Sequence, residues 1–205
     1  MTIRPSTNPA DPQPQGAAMP RHALALAALC LAGCAAAPAP RPDVPPDQPP
    51  LLPPATLGAS RDAQQILRAA FGEHEAVLRC VVHASPERIE VVALTALGQR
   101  ALTVAWNGQD WKVDAAPGVP PTLRPEWLLA DVQLALWPLA ALQSAYEPAG
   151  WTVSEPGGGV RRLRRAGQLV AEVDYADADP WRGRYWISNF RYRYAISVEA
   201  DATAP

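Results

Sequence analysis

The stretch IEVVALTALGQRALTVAWNGQDWKVDA, Ile89 to Ala115, decides the fold. Apolar and polar side chains alternate with a period of two in Ile89–Leu94, Ala101–Trp106 and Trp111–Ala115, the pattern of half-buried strands. Two turn signals separate the three. The first is Thr95 to Gly98. The second is Asn107-Gly108, read as a type I′ hairpin turn, because both central positions of that turn need positive φ. Three antiparallel strands in meander order follow from these residues alone.

The pattern continues on both sides. Upstream, Gln64–Phe71 is a strand turning at Gly72-Glu73. In Glu75–Ala84 the residues Ala76, Leu78, Cys80 and Val82 share one face, and Val77, Arg79, Val81 and His83 the other. Downstream, a proline-rich break at residues 117–121 gives way to another period. Pro125 suits a first helical turn; Glu126–Trp137 reads as a helix stopped by Pro138, and Leu139–Tyr146 as a second short one. Both are apolar on nearly all sides, so they are buried or cover an apolar cavity. Strands resume at Trp151–Ser154, Val160–Arg165, Leu169–Tyr175 and Arg184–Asn189, and Phe190–Glu199 alternates strictly enough to read as a last long strand. The fold class is α+β, mainly β: an antiparallel curved sheet or half-open β-barrel covered by short apolar helices.

The chain has 205 residues, 48% hydrophobic and 19% charged, with a formal charge of −2. A near-neutral balance argues against a nucleic-acid partner. Three cysteines are too few for a disulfide scaffold. Of the 24 prolines, 14 lie in the first 54 residues, a segment that cannot supply helix or ladder hydrogen bonds.

That segment reads as address, anchor and spacer. Met19-Pro20-Arg21-His22, the apolar run Ala23–Leu31 and then Ala32-Gly33-Cys34 form a secretory signal over residues 1–33, with the true start expected at Met19. The run is too short to span a bilayer. Leu31-Ala32-Gly33-Cys34 looks like a bacterial lipobox, whose cysteine is acylated; the alternative is a plain secretory peptide with an incidental cysteine. Three acyl chains, at about 0.8 kcal/mol per buried methylene, anchor essentially permanently. Ala35 follows Cys34 where an inner-membrane retention signal would have aspartate, so the expected location is the periplasmic face of the outer membrane. Residues 34–56 then hold the acylated cysteine and a proline-rich tether, Ala35 to Pro54, reaching at most ~3.1 Å per residue or about 60 Å, ahead of a domain over residues 57–200 and a tail, 201–205.

Chemistry-bearing patterns are sparse. Cys80 and His83 stand at odd spacing on one strand and point to opposite faces, which removes a thiol–imidazole pair; Cys80 reads as a small core residue. Asp177 and Asp179 sit beside Pro180 and suit a turn. There is no Gly-x-Ser-x-Gly elbow, His-Glu-x-x-His run or phosphate-binding glycine loop. The reading is no enzyme, no cofactor and no metal. Arg161, Arg162, Arg164 and Arg165 cluster on one strand, either as edge protection or as contacts to anionic headgroups or an acidic partner. Seven tryptophans and five tyrosines are core and rim packing or the lining of an acyl-chain site.

The stretch Leu94 to Val104 resembles the third-strand, Leu-Gly turn and fourth-strand segment of LolB, the outer-membrane lipoprotein receptor, and the order of lipobox, linker, meander, apolar helices and closing meander is similar. Over residues 50 to 200 the chain more closely resembles an uncharacterised family of small proteobacterial lipoproteins with a domain of unknown function, through Asp131–Pro138 and Asp179–Gly183. The LolB resemblance implies a LolB/LolA-like half-open barrel with a helical lid over an apolar cavity, Leu97 as the membrane-inserting residue, and a periplasmic LolA-like carrier as partner. The family resemblance implies a setting among genes for aryl-polyene-type lipids. On this reading the protein accepts or transfers a lipid or lipoprotein, with Trp127, Leu128, Leu129, Val132, Leu136 and Trp137 as lid and cargo contacts. The rival reading is a docking lipoprotein of an envelope complex whose barrel is filled by its own side chains.

Overall fold

In the computed structural model of the protein, residues 48–71, 74–119 and 123–201 are described. Met19, Cys34, most of the expected tether and the last residues of the tail lie outside them. Ten strands form one antiparallel sheet: β1 (Arg61–Phe71), β2 (His74–Ala84), β3 (Ile89–Leu94), β4 (Arg100–Trp106), β5 (Trp111–Ala115), β6 (Trp151–Gly157), β7 (Val160–Arg165), β8 (Gln168–Tyr175), β9 (Arg184–Asn189) and β10 (Tyr194–Ala200). Their spatial order is β5-β4-β3-β2-β1-β10-β9-β8-β7-β6. Two five-strand meanders therefore meet where the first and last strands pair, with Gln65 opposite Ala200 and Ala69 opposite Ile196. The sheet is open, with β5 and β6 at its edges. The chain passes from one edge to the other through α1 (Pro125–Leu136) and α2 (Leu139–Tyr146).

Period-two alternation decides what goes inside. Cys80, Val82 and Ala84 of β2, Ile89, Val91 and Ala93 of β3, and Leu102, Val104 and Trp106 of β4 are all buried. Tyr185 and Ile187 of β9 and Trp151 and Val153 of β6 continue that face in the second meander. Against it pack Leu129, Leu134 and Leu136 of α1 and Leu142 and Tyr146 of α2. Each large apolar side chain so buried contributes about 1.5–3 kcal/mol. Pro125 occupies the first turn of α1, and the helix ends at Trp137, ahead of Pro138. Burial pushes the Cys80 thiol up to about 11, as a core position does. His83 faces away, its Nδ1 2.6 Å from Asp62 Oδ1.

Three local features differ from expectation. The β4–β5 connection is a hairpin, but Asn107 is not in the positive-φ region; Gly108 is, at 98°. The Asn107 side-chain carbonyl instead accepts the amides of Gln109 (2.9 Å) and Asp110 (2.7 Å), the local capping that asparagine offers. The second is the long last strand, which does not form as one piece: Phe190–Arg193 is a tight turn and β10 starts at Tyr194. Asn189 Oδ1 accepts the Tyr192 amide at 3.0 Å, and Arg193 takes φ 58°. The third concerns the tether, whose last residues are packed rather than solvated. Leu52 and Pro54 are buried, and Gln133 holds the Leu52 backbone from both sides, Leu52 N–H to Oε1 at 2.9 Å and Nε2 to Leu52 O at 2.7 Å. The packed body thus reaches back at least to Gln48.

Candidate functional site: a helical plug in an open sheet

The interior of the sheet is occupied by α1 and by Leu142 and Tyr146 of α2. Of the six residues expected to meet cargo, Leu129, Leu136 and Trp137 are buried in the interior, and Trp127, Leu128 and Val132 are partly exposed. Trp127 stacks on Tyr192, ring centroids 4.1 Å apart, and the Trp137 indole donates to Thr56 Oγ1 at 2.9 Å.

A helix C-terminus leaves carbonyls without intrahelical partners, and here the sheet supplies the donors. Arg161 Nη1 donates to Leu134 O (2.6 Å) and to Trp137 O (2.9 Å). The same guanidinium pairs with Glu155 at 2.6 Å, with only 9% of the Arg161 side chain exposed, and lies over the Tyr175 ring. Tyr175 donates its hydroxyl to Ala135 O at 2.7 Å. A cation at a helix C-terminus is also favoured by the helix dipole.

The middle of α1 carries a buried acid. Asp131 accepts a hydrogen bond from the Tyr194 hydroxyl, which in turn accepts one from Asn189 Nδ2 at 3.2 Å. Burial raises the Asp131 carboxyl from its ordinary 3.8 to about 7, against the opposing effect of the Tyr194 hydrogen bond. Beside it lies a cavity of about 20 Å³ lined by Gln48, Trp127, Asp131, Leu134, Trp151 and Tyr194, among others. That is room for about one water. Both amide atoms of Gln48 and Nε1 of Trp127 are buried without a hydrogen-bond partner among the described residues. The interior is therefore filled, and filled largely by the helical insert.

A wider hollow of about 350 Å³ opens where α1 meets α2, walled by Leu57, Arg61, Trp137, Pro138, Pro180 and Trp181, among others. The segment Asp179–Gly183 shapes it. Asp179 Oδ1 accepts the Trp181 amide at 3.0 Å and Asp177 Oδ2 the Arg184 amide at 2.9 Å, so both carboxylates fold the turn. A Cβ on Gly183 would lie 2.5 Å from Asp177 Cβ, which explains glycine there.

The four arginines of β7 do not form one basic face, because alternate residues of a strand point to opposite sides. Arg161 and Arg165 point inward, Arg165 over the Trp151 ring at 4.9 Å. Arg162 pairs outward with Glu172 at 2.6 Å, and Arg164 donates to Gly167 O at 3.0 Å. Arg161 is thus a buried support for α1 rather than a surface cation. Leu97 stands 86% exposed at the β3–β4 turn. Among the described residues no group of three or more His, Cys, Asp or Glu is placed to hold a metal ion, and no helix is long and apolar enough to cross a membrane.

The polar supports of α1 were not apparent from strand and helix patterns. The available signal was Asp131 and Gln133 within an otherwise apolar helix, since buried polar groups require partners. Their partners Tyr194 and Leu52, like Arg161 and Tyr175, come from distant segments.

A family model described as "Protein of unknown function (DUF3261)" matches residues 62–202. No curated protein matches the chain. Among solved structures, an outer membrane lipoprotein-sorting protein domain from Vibrio parahaemolyticus is similar, with a TM-score of 0.35 and 6% sequence identity, over 70% of this chain and 83% of that one.

Proposed function

This chain belongs to the DUF3261 family of proteins of unknown function, and on the geometry of its plugged sheet we propose that it is an outer-membrane-anchored lipoprotein that accepts or transfers a lipid or acylated cargo. The observation that carries the proposal is what fills the interior. An open sheet holds a continuous insert, α1 and α2, which runs from one sheet edge to the other. A segment of that kind can swing out from the start of α1, opening a half-open barrel lined with apolar side chains.

The exchange is close to balanced. An acyl chain of about sixteen carbons gains about 0.8 kcal/mol per buried methylene, about 12 kcal/mol in all. Uncovering four or five large side chains of the insert costs about 1.5–3 kcal/mol each, a similar sum. Cargo can then pass between sites by partition, without covalent chemistry. Trp127, Leu128, Leu129, Val132, Leu136 and Trp137 would trade contacts with the sheet for contacts with cargo. Cys34 would hold the body at the periplasmic face of the outer membrane, Leu97 would enter the bilayer, and a periplasmic LolA-like carrier would deliver. The family resemblance makes aryl-polyene-type lipids the first cargo to try.

A second reading, a docking lipoprotein of an envelope complex, draws support from the small internal cavity of about 20 Å³. Native mass spectrometry of the mature protein from its own host, with displacement of a fluorescent fatty acid, separates the two. The carrier reading expects co-purified lipid and displaceable probe. A lipid-free mass together with no probe binding would leave only the docking reading.

A further inference from the structure

The strands end on two rims that differ in the apolar side chains their turns expose. Register places Arg61 opposite Ala84 and Ile89 opposite Trp106, so the β2–β3, β4–β5 and β8–β9 connections share one rim. Their exposed carboxylates, Glu87, Asp110, Asp177 and Asp179, are interspersed with exposed Arg88 and Arg182, and Arg61 and Arg184 are exposed at the adjoining strand ends. The β3–β4, β7–β8 and β9–β10 turns share the opposite rim. There Leu97 is 86% exposed on the first turn and Phe190 51% exposed on the last. Arg164 and Arg165 flank the middle turn, and Arg191 and Arg193, both exposed, follow Phe190. Asp114, at this end, is paired with Arg100 at 2.9 Å. Glu75 and Glu126 also lie here, so the rim is rich in arginine rather than free of carboxylates.

The Phe190 turn is held firmly. The Phe190 amide donates to Val170 O at 2.9 Å, and Asn189 Oδ1 accepts the Tyr192 amide. Arg193 occupies the left-handed region at φ 58°, where a residue other than glycine or asparagine is uncommon. The large apolar side chain at this tip is therefore displayed by a built turn. Along the sheet, the β3–β4 and β9–β10 turns are four strand spacings apart, about 19 Å. Gln48, where the described chain begins, shares its cavity with Trp127, Asn189, Tyr192 and Tyr194, residues at or near the same rim. Gln48 thus lies on the side that carries Leu97 and Phe190.

We infer that this rim docks on an anionic phospholipid bilayer, with Phe190 as a second inserted side chain beside Leu97 and Arg193 on a headgroup phosphate. Two apolar tips four strands apart along the sheet fix an orientation that one tip cannot. Arginine suits the phosphates because its planar fork gives bidentate hydrogen bonds, and basic groups gather at an anionic surface. The inference rests on the proposed membrane location and adds to it which rim faces the lipid and which side chains hold it there.

The test uses the mature lipoprotein with a single introduced cysteine, Leu97→Cys, Phe190→Cys or Gln109→Cys on the opposite rim, each carrying an environment-sensitive fluorophore. Cys80 does not compete, being buried with its thiol pushed up to about 11. In phosphatidylethanolamine–phosphatidylglycerol vesicles containing nitroxide lipids, quenching at positions 97 and 190 should exceed that at 109 several-fold. Quenching at 190 should fall when phosphatidylcholine replaces phosphatidylglycerol, and again in the Arg193→Ala variant. A label at 190 as shielded from the nitroxide as the one at 109 overturns the inference. If position 97 is quenched and 190 is not, the membrane location stands and this docking face falls; if neither is quenched, both fall, and lipid uptake is measured separately.

Discussion

The two ends of α1 are held in opposite ways. At its C-terminal end, Leu134, Ala135 and Trp137 offer carbonyls, and Arg161 and Tyr175 supply donors. At its middle a carboxyl is buried at Asp131, and toward its start Trp127, with neighbouring Gln48, carries buried polar atoms with no partner among the described residues. Unmet polar groups are costly in a low-dielectric interior, whereas satisfied ones rigidify it. The difference teaches where the plug yields: it should release from Asp131 toward its start and pivot about the end clamped by Arg161.

The largest effect that can sharpen this contrast is pH-dependent. The Asp131 carboxyl is raised from 3.8 to about 7 in the fold, so the folded state holds a proton that the unfolded chain releases. Its contribution is complete below the unfolded value and is lost as pH rises toward about 7. At about 1.4 kcal/mol per pH unit, the upper limit is about 4 kcal/mol. The titratable groups facing Asp131 are Tyr194, Tyr146 and Tyr185, which all stay neutral in this range because burial raises them. Urea midpoints followed across the window should decline with rising pH in the parent and stay nearly flat in Asp131→Asn. A flat parent curve would remove the buried acid from the account.

Next in size, Arg161→Met leaves two carbonyls and Glu155 without their cation and should cost about 3 kcal/mol. Arg161→Lys should recover little, since an ammonium lacks the planar fork that reaches both sides at once. Gln133→Leu strands the Leu52 amide and carbonyl and should cost about 2 kcal/mol in the same assay. The smallest is Leu97→Ser, which should change stability by less than about 0.5 kcal/mol, as an exposed substitution does. A larger loss would mean that Leu97 is packed rather than displayed.

Much of the fold was legible because period-two alternation and turn residues mark β3, β4 and β5, and Pro125 and Pro138 bracket α1. The Phe190–Arg193 turn was not, since Phe-Arg-Tyr-Arg-Tyr alternates like a strand and contains no glycine or proline. Residues 48–54 carry the composition of a linker, yet Leu52 finds a core because Gln133 satisfies its backbone. The arginines of β7 are contiguous in sequence but divided by the pleat. For the site, an apolar helix flanked by strands was visible. Whether the hollow beneath it is open depends on how tightly distant side chains pack, which no local pattern encodes.

The central claim is that lipid takes the place of α1. Hydrogen–deuterium exchange of the mature protein, with and without a saturating long-chain fatty acid, tests it most directly. The account predicts that the amides of α1 up to Leu134 lose protection on loading while β2, β3 and β9 keep theirs. Unchanged protection across α1 at saturation would contradict it.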